Sequence, residues 1–208
     1  MLDLFDPVRL LYMTPAVIVG LVFHEYAHGL AAYSLGDRTA YHQGRLTLNP
    51  AAHIDILGLL MLYMAGFGWA RPVPVNPFNF KGNRSRGLLL VSLAGPLSNM
   101  IIAVIAAVLY GAFLLDIPYL NRITLEIINI NVILAVFNLL PIPPLDGSKI
   151  LAGMWPAGRQ WLYSLEQYGP IILILLLFTG IINRILGVFI KPIVSFLSWL
   201  IRTINAML

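Results

Sequence analysis

The 208-residue chain contains no cysteine. Disulfides are therefore excluded, and any metal site must be built from His, Asp or Glu. Charge is scarce as well, with Asp, Glu, Lys and Arg together making up 11% of the residues. The net charge is +4, yet the basic residues form no dense run, so no nucleic-acid partner is indicated. There is no internal repeat and no low-complexity tract. The first residues, Met1-Leu2-Asp3-Leu4-Phe5-Asp6-Pro7, are acidic where a secretory leader would be basic, so the apolar run that follows reads as a retained span.

Apolar residues are abundant instead. They make up 59% of the chain, with a mean hydropathy of +0.84, and that places it among polytopic membrane proteins. The expected fold is all-α, with about five to six transmembrane segments in a single domain over 1–208. A core of about 8–150 precedes C-terminal helices of about 160–208. Val8 to about Leu35 is long enough to cross the bilayer. Arg38 to His53 is polar, and the alternation at Gly44-Arg45-Leu46-Thr47-Leu48 predicts a short membrane-associated β element after the first helix. Ile54 to Phe67 is apolar but short, as a re-entrant segment would be. Gly68 to Gly87 is proline-rich and must be non-helical, whereas Leu88–Leu115 and Ile123–Leu140 read as spans. The apolar tail reads as two helices joined at Asn183-Arg184, because a mid-span arginine is costly.

The densest chemistry lies inside the first apolar run, at His24-Glu25-Tyr26-Ala27-His28. Residues four apart share a helix face, so both histidines can bind one metal ion, with Glu25 beside them as a general base. Chance supplies this pattern in roughly one chain in a thousand of this composition. Three ionisable groups in five intramembrane residues are too costly to serve only as glue between helices. A structural zinc would use the same ligands.

Two histidines leave a catalytic zinc short of a third protein ligand. Asp146, between a proline-broken helix end and Gly147, is the strongest candidate, and counting crossings tests it. If Ile54–Phe67 crossed the bilayer, Asp146 would end on the face opposite His28. If it does not, the two lie toward the same side. That arrangement also gathers Arg38, Arg45, Arg71, Lys81, Arg84, Arg86, Lys149, Arg159 and Arg202 on the side of the site, against Arg9, Arg122 and Arg184 on the other, and the positive-inside bias makes the side of the site cytoplasmic.

These residues give the chain a recognisable likeness. Through His24-Glu25-x-x-His28, Leu48-Asn49-Pro50-Ala51-Ala52-His53-Ile54-Asp55, Ala94-Gly95-Pro96-Leu97-Ser98-Asn99 and the run from Asn138 to Gly147, it resembles the site-2 protease family of intramembrane zinc metalloproteases. It resembles the compact form, without a PDZ or nucleotide-sensing domain. The resemblance implies that His24, His28 and Asp146 bind one Zn²⁺ and that Glu25 is the base. It also implies a core of three helices and single-span membrane proteins as substrates. A prokaryotic plasma membrane fits the expected location. Asn138 is expected either to hydrogen-bond between helices or to hold substrate backbone or an oxyanion. His53 could assist catalysis or anchor the Asn49-Pro50 turn, and Asn99 could be helix glue or a substrate contact. The competing functional classes are a cation transporter or channel that uses the intramembrane His and Asp, and a non-catalytic zinc-bound membrane adaptor. Oligomeric state is not encoded in any of these features.

Overall fold

Long apolar runs become long helices, because a bilayer leaves backbone groups no partners but their own. The computed structural model describes residues 7–65, 68–114, 117–155 and 158–208. The acidic residues before Pro7, and the segment limits expected at Phe67 and Leu115, lie outside them. Helix α1 runs over Pro7–Ser34, a short α2 over Thr39–His42 and α3 over Ile56–Ala65. They are followed by α4 at Arg84–Leu109, which passes into a wide π turn at Tyr110–Leu114, and by α5 at Pro118–Asn138. The rest of the chain forms α6 at Asp146–Met154, α7 at Arg159–Glu166, α8 at Gly169–Phe178 and α9 at Ile181–Met207.

The protein is an all-α membrane protein. Among the described residues, α1, α4, α5 and α9 are long and apolar enough to cross a bilayer, and the α7–α8 pair, bent by 73°, would raise the number to five. Helix α3 has 10 residues, about 15 Å of rise against a core of about 30 Å. It is too short to cross, as the crossing count required.

Helices α1, α4 and α5 form the central bundle, and α9 closes one side of it. Ala103, Ala106, Ala107 and Tyr110 share one face of α4 and are buried against Ile128, Val132 and Val136 of α5 and Leu197 of α9. Small residues at this spacing let helix backbones approach closely, which is where dispersion energy comes from when both surroundings are apolar.

Three expectations need correction. The stretch Gly68–Gly87 is not wholly non-helical, because Asn83 caps α4 from Arg84 and a single 3₁₀ turn forms at Pro77–Asn79. No β element forms at Gly44–Leu48, and the only strand-like pairing among the described residues is the single Ile54–Ala70 bridge. The alternation there serves side chains instead of a ladder. The Arg45 guanidinium bonds the carbonyls of Arg71 and Pro72 at 2.9 and 3.1 Å, while Asn49 turns the chain by capping Ala51 N–H. Across from it, Pro72 and Pro74 have no N–H to offer a strand. The break in the tail is also displaced. Helix α8 stops before Gly180, whose φ of +73° is the left-handed conformation glycine adopts most readily, and α9 continues through Asn183 and Arg184. Both residues are exposed in its first turn, where a polar side chain costs little.

Candidate metal centre

His24 and His28 lie one turn apart on α1 and face α4 and α6. Asp146 opens α6 directly after the proline-rich turn that ends α5. Its Oδ2 lies 3.2 Å from His24 Nε2 and 3.1 Å from His28 Nε2, and the two Nε2 atoms are 3.0 Å apart. All three residues are buried. The crossing count thus has a direct geometric counterpart, since residues separated by two spans converge on one point.

The partners of the other ring nitrogens set the tautomers. His24 Nδ1 donates to Asn99 Oδ1 at 2.7 Å, and His28 Nδ1 donates to the Val91 carbonyl at 2.7 Å. A neutral imidazole protonated at Nδ1 keeps a lone pair at Nε2. Two such lone pairs therefore point at a carboxylate oxygen that is buried and has no hydrogen-bond donor. Three acceptors with no proton between them repel, unless a cation occupies the point where they converge. Their separations match the roughly 3.3 Å edge of a tetrahedron with bonds of about 2.0–2.1 Å, as zinc prefers. The donor set of two imidazoles and a carboxylate fits zinc.

Behind the histidines the polar network is fully directed. Asn99 Nδ2 donates to Gly20 O and to Asn131 Oδ1, each at 2.9 Å, and Asn131 Nδ2 donates to Ile127 O at 2.8 Å. Both asparagines are completely buried. The carbonyls of Gly20 and Ile127 can only accept, so the Asn99 oxygen has to face His24. Gly95 makes the close approach of α4 possible. A Cβ there would lie 2.4 Å from His28 Nε2 and 2.6 Å from His24 Cε1.

Glu25 sits beside this triangle, with its Oε2 accepting Val73 N–H at 2.8 Å. A cavity of about 280 Å³ joins Glu25 to the three converging residues, with Asn138, Ser92 and Lys149 also in its wall. Asn138 reaches the cavity while its amide nitrogen bonds Leu134 O of its own helix. Neither Asn99 nor His53 is in the wall. Asn99 lies behind His24, and His53 donates through Nε2 to Thr47 O at 2.7 Å within its own loop. Ser92, missed from sequence, is 1% exposed with no partner on its hydroxyl. No periodicity or motif marks it.

Comparison with known proteins agrees with this geometry. The model of peptidase family M50 matches residues 119–180, which carry Asn138 and Asp146. The Bacillus subtilis protein named "Putative zinc metalloprotease YwhC" is 41% identical over 94% of this chain and 88% of its own length. The chain belongs to peptidase family M50. It is a zinc metalloprotease of that family, and His24, His28 and Asp146 form the group that fits the metal. Rip2 of Mycolicibacterium smegmatis, which carries the same description, is 32% identical over 80% of the chain and 66% of its own length. MJ0611 of Methanocaldococcus jannaschii, again so described, is 31% identical over 65% of the chain and 66% of its own length. No solved structure matches the chain.

Proposed function

We propose that this metalloprotease hydrolyses peptide bonds within or next to the transmembrane helices of single-span membrane proteins, from the cytoplasmic side. The observation that carries the reading is the position of the site. Its metal-binding residues and its acid–base residue share one cavity walled by helices long enough to cross a bilayer. A membrane-embedded segment lies beside helices of that kind, which makes it a nearer substrate than a soluble peptide.

His24, His28 and Asp146 would hold zinc, which when bound supplies a Lewis acid for the scissile carbonyl and acidifies water. The protein's own contribution is positional and electrostatic. Val73 N–H holds Glu25 Oε2 and so leaves Oε1 to take a proton from the attacking water and later return one to the leaving amine. Asn138, with one amide proton committed to Leu134 O, has its other N–H and its carbonyl for substrate backbone. The bonds of His53 suit a turn anchor, and those of Asn99 suit a support for His24.

Orientation follows from charge. Arg122 at the start of α5 lies over the Tyr12 ring near the start of α1, 5.5 Å from its centroid. The opposite ends of these helices, which carry His28 and Asn138, therefore share the other side with Arg38, Arg45, Arg71, Lys81 and Arg86. An excess of that kind favours the cytoplasm.

The test is cleavage of a tagged single-span substrate by the reconstituted protein, comparing wild type with Glu25→Gln. Both should bind zinc and only wild type should cleave. Equal cleavage by the two would sink the proposal.

A further inference from the structure

One peptide group lies between a partly exposed cation and the proposed base. Glu25 Oε2 accepts the N–H of Val73 at 2.8 Å. The carbonyl of that same peptide group belongs to Pro72, and it accepts from Arg45 Nη2 at 3.1 Å. The same nitrogen donates to Arg71 O at 2.9 Å. We infer that Arg45 is a positioning residue for the Glu25 carboxylate, acting through the Pro72–Val73 peptide plane. The inference rests on the reading of Glu25 as the base.

Little else holds this backbone. Pro72 and Pro74 cannot donate, so the segment cannot join a ladder. Apart from Arg45 and Glu25, it is anchored by Arg71 N–H on His53 O at 2.7 Å and Asn76 N–H on Asp37 Oδ2 at 2.6 Å. Those anchors hold the two ends, and the peptide that faces Glu25 lies between them. A peptide group is planar, so fixing the direction of its C=O fixes the direction of its N–H. A guanidinium on the carbonyl oxygen also polarises the group and makes its N–H a stronger donor to a carboxylate.

Arg45 is partly exposed, but its Nε is buried and its Nη2 is committed to two backbone carbonyls. Its own backbone is fixed, with Arg45 N–H donating to Ala40 O at 2.8 Å. The next residue, Leu46, packs with Val73 over Gly29 of α1, one position past His28. Arg45 is absent from the cavity wall, so its influence on the chemistry has to pass through the peptide.

The experiment uses the full chain, loaded with zinc and reconstituted with a tagged single-span substrate. It compares Arg45→Met and Arg45→Gln with wild type and Glu25→Gln. Turnover and KM are measured, along with zinc affinity by chelator competition. The infrared carboxylate band of Glu25 is recorded in ¹³C-Glu protein and assigned by its loss in Glu25→Gln. Displacing a reacting group by about 1 Å costs on the order of 10²-fold in rate. A fall in kcat of about 10- to 100-fold is therefore expected for Arg45→Met, and a smaller one for Arg45→Gln. KM and zinc affinity should stay within about threefold, and the Glu25 band should shift. A wild-type band and a wild-type kcat in whichever variant folds overturn the inference. So does a loss of activity matched by an equal loss of zinc affinity, which would make Arg45 a general support of the fold. Cleavage by Glu25→Gln would instead remove the base reading itself, whatever Arg45 does.

Discussion

The Nδ1 of His24 and the Oδ1 of Asn99 are 2.7 Å apart, joining α1 to α4 inside the bundle. The bond decides which nitrogen of His24 can face a metal, and Asn131 and the Gly20 carbonyl in turn decide which way Asn99 faces. Asn99→Ala removes the acceptor and leaves a buried ring N–H without a partner. Zinc affinity should fall by about 10- to 100-fold, the usual loss when such an outer partner is removed. Chelator competition in detergent measures it directly, and an unchanged dissociation constant would show that His24 needs no outer partner.

Gly95→Ala should be more severe. The added methyl would occupy space within 2.6 Å of both histidine rings, and neither a ring held from behind nor the α4 backbone can yield cheaply. Loss of stoichiometric zinc, with the helical circular dichroism spectrum retained, is the expected result. Normal zinc content would show that α4 can move outward.

Removing zinc should destabilise the protein as well as silence it. The two Nε2 lone pairs and Asp146 Oδ2 converge with no donor between them. A ligand that binds only the folded state at a thousand times its dissociation constant adds about 4.1 kcal/mol. Thermal unfolding in detergent should therefore shift upward with added zinc, and Asp146→Asn should reduce the shift. A melting temperature indifferent to zinc would argue against a formed site.

Asp37 offers a pH-dependent test away from the metal. Burial pushes its carboxyl up, but the Thr39 hydroxyl, Asn76 N–H, the Asn79 amide and Thr39 N–H outweigh burial and hold it below the ordinary value of 3.8. A lowered native pKa contributes stability above the unfolded value, and that stability is lost as pH falls through the native one. Asp37→Asn loses the charge and turns an amide N–H₂ toward a backbone N–H that can only donate, at Asn76 or Thr39, and should cost about 2 kcal/mol at neutral pH. The gap from wild type should narrow only below about pH 4. A gap independent of pH would mean that the charge of Asp37 is not what the loop uses.

The parts of the site that were legible in sequence were those set by geometry along the chain. Spacing alone put His24 and His28 on one face, and the shortness of the segment after His53 was enough to bring Asp146 to them. The roles of Asn99 and Arg45 were hidden because each depends on an atom supplied by a distant segment, such as the His24 ring 75 positions from Asn99. The strand expected at Gly44–Leu48 failed for a related reason. Alternation reports which side chains face inward, but it cannot show that the opposite chain lacks N–H groups. In the tail, the cost assigned to Arg184 placed the break at the wrong residue, because backbone freedom at Gly180 ends α8 while Arg184 stays exposed.

The convergence of α1 and α6 also has a consequence for biosynthesis. His24 and His28 enter the membrane with the first span, but Asp146 follows only after α4 and α5 have been inserted, and Asn99 and Asn131 arrive on those two helices. A nascent chain therefore carries the whole His-Glu-x-x-His motif through most of its synthesis with no third ligand and no support for His24. The group that fits the metal is therefore complete only once α6 has joined the bundle.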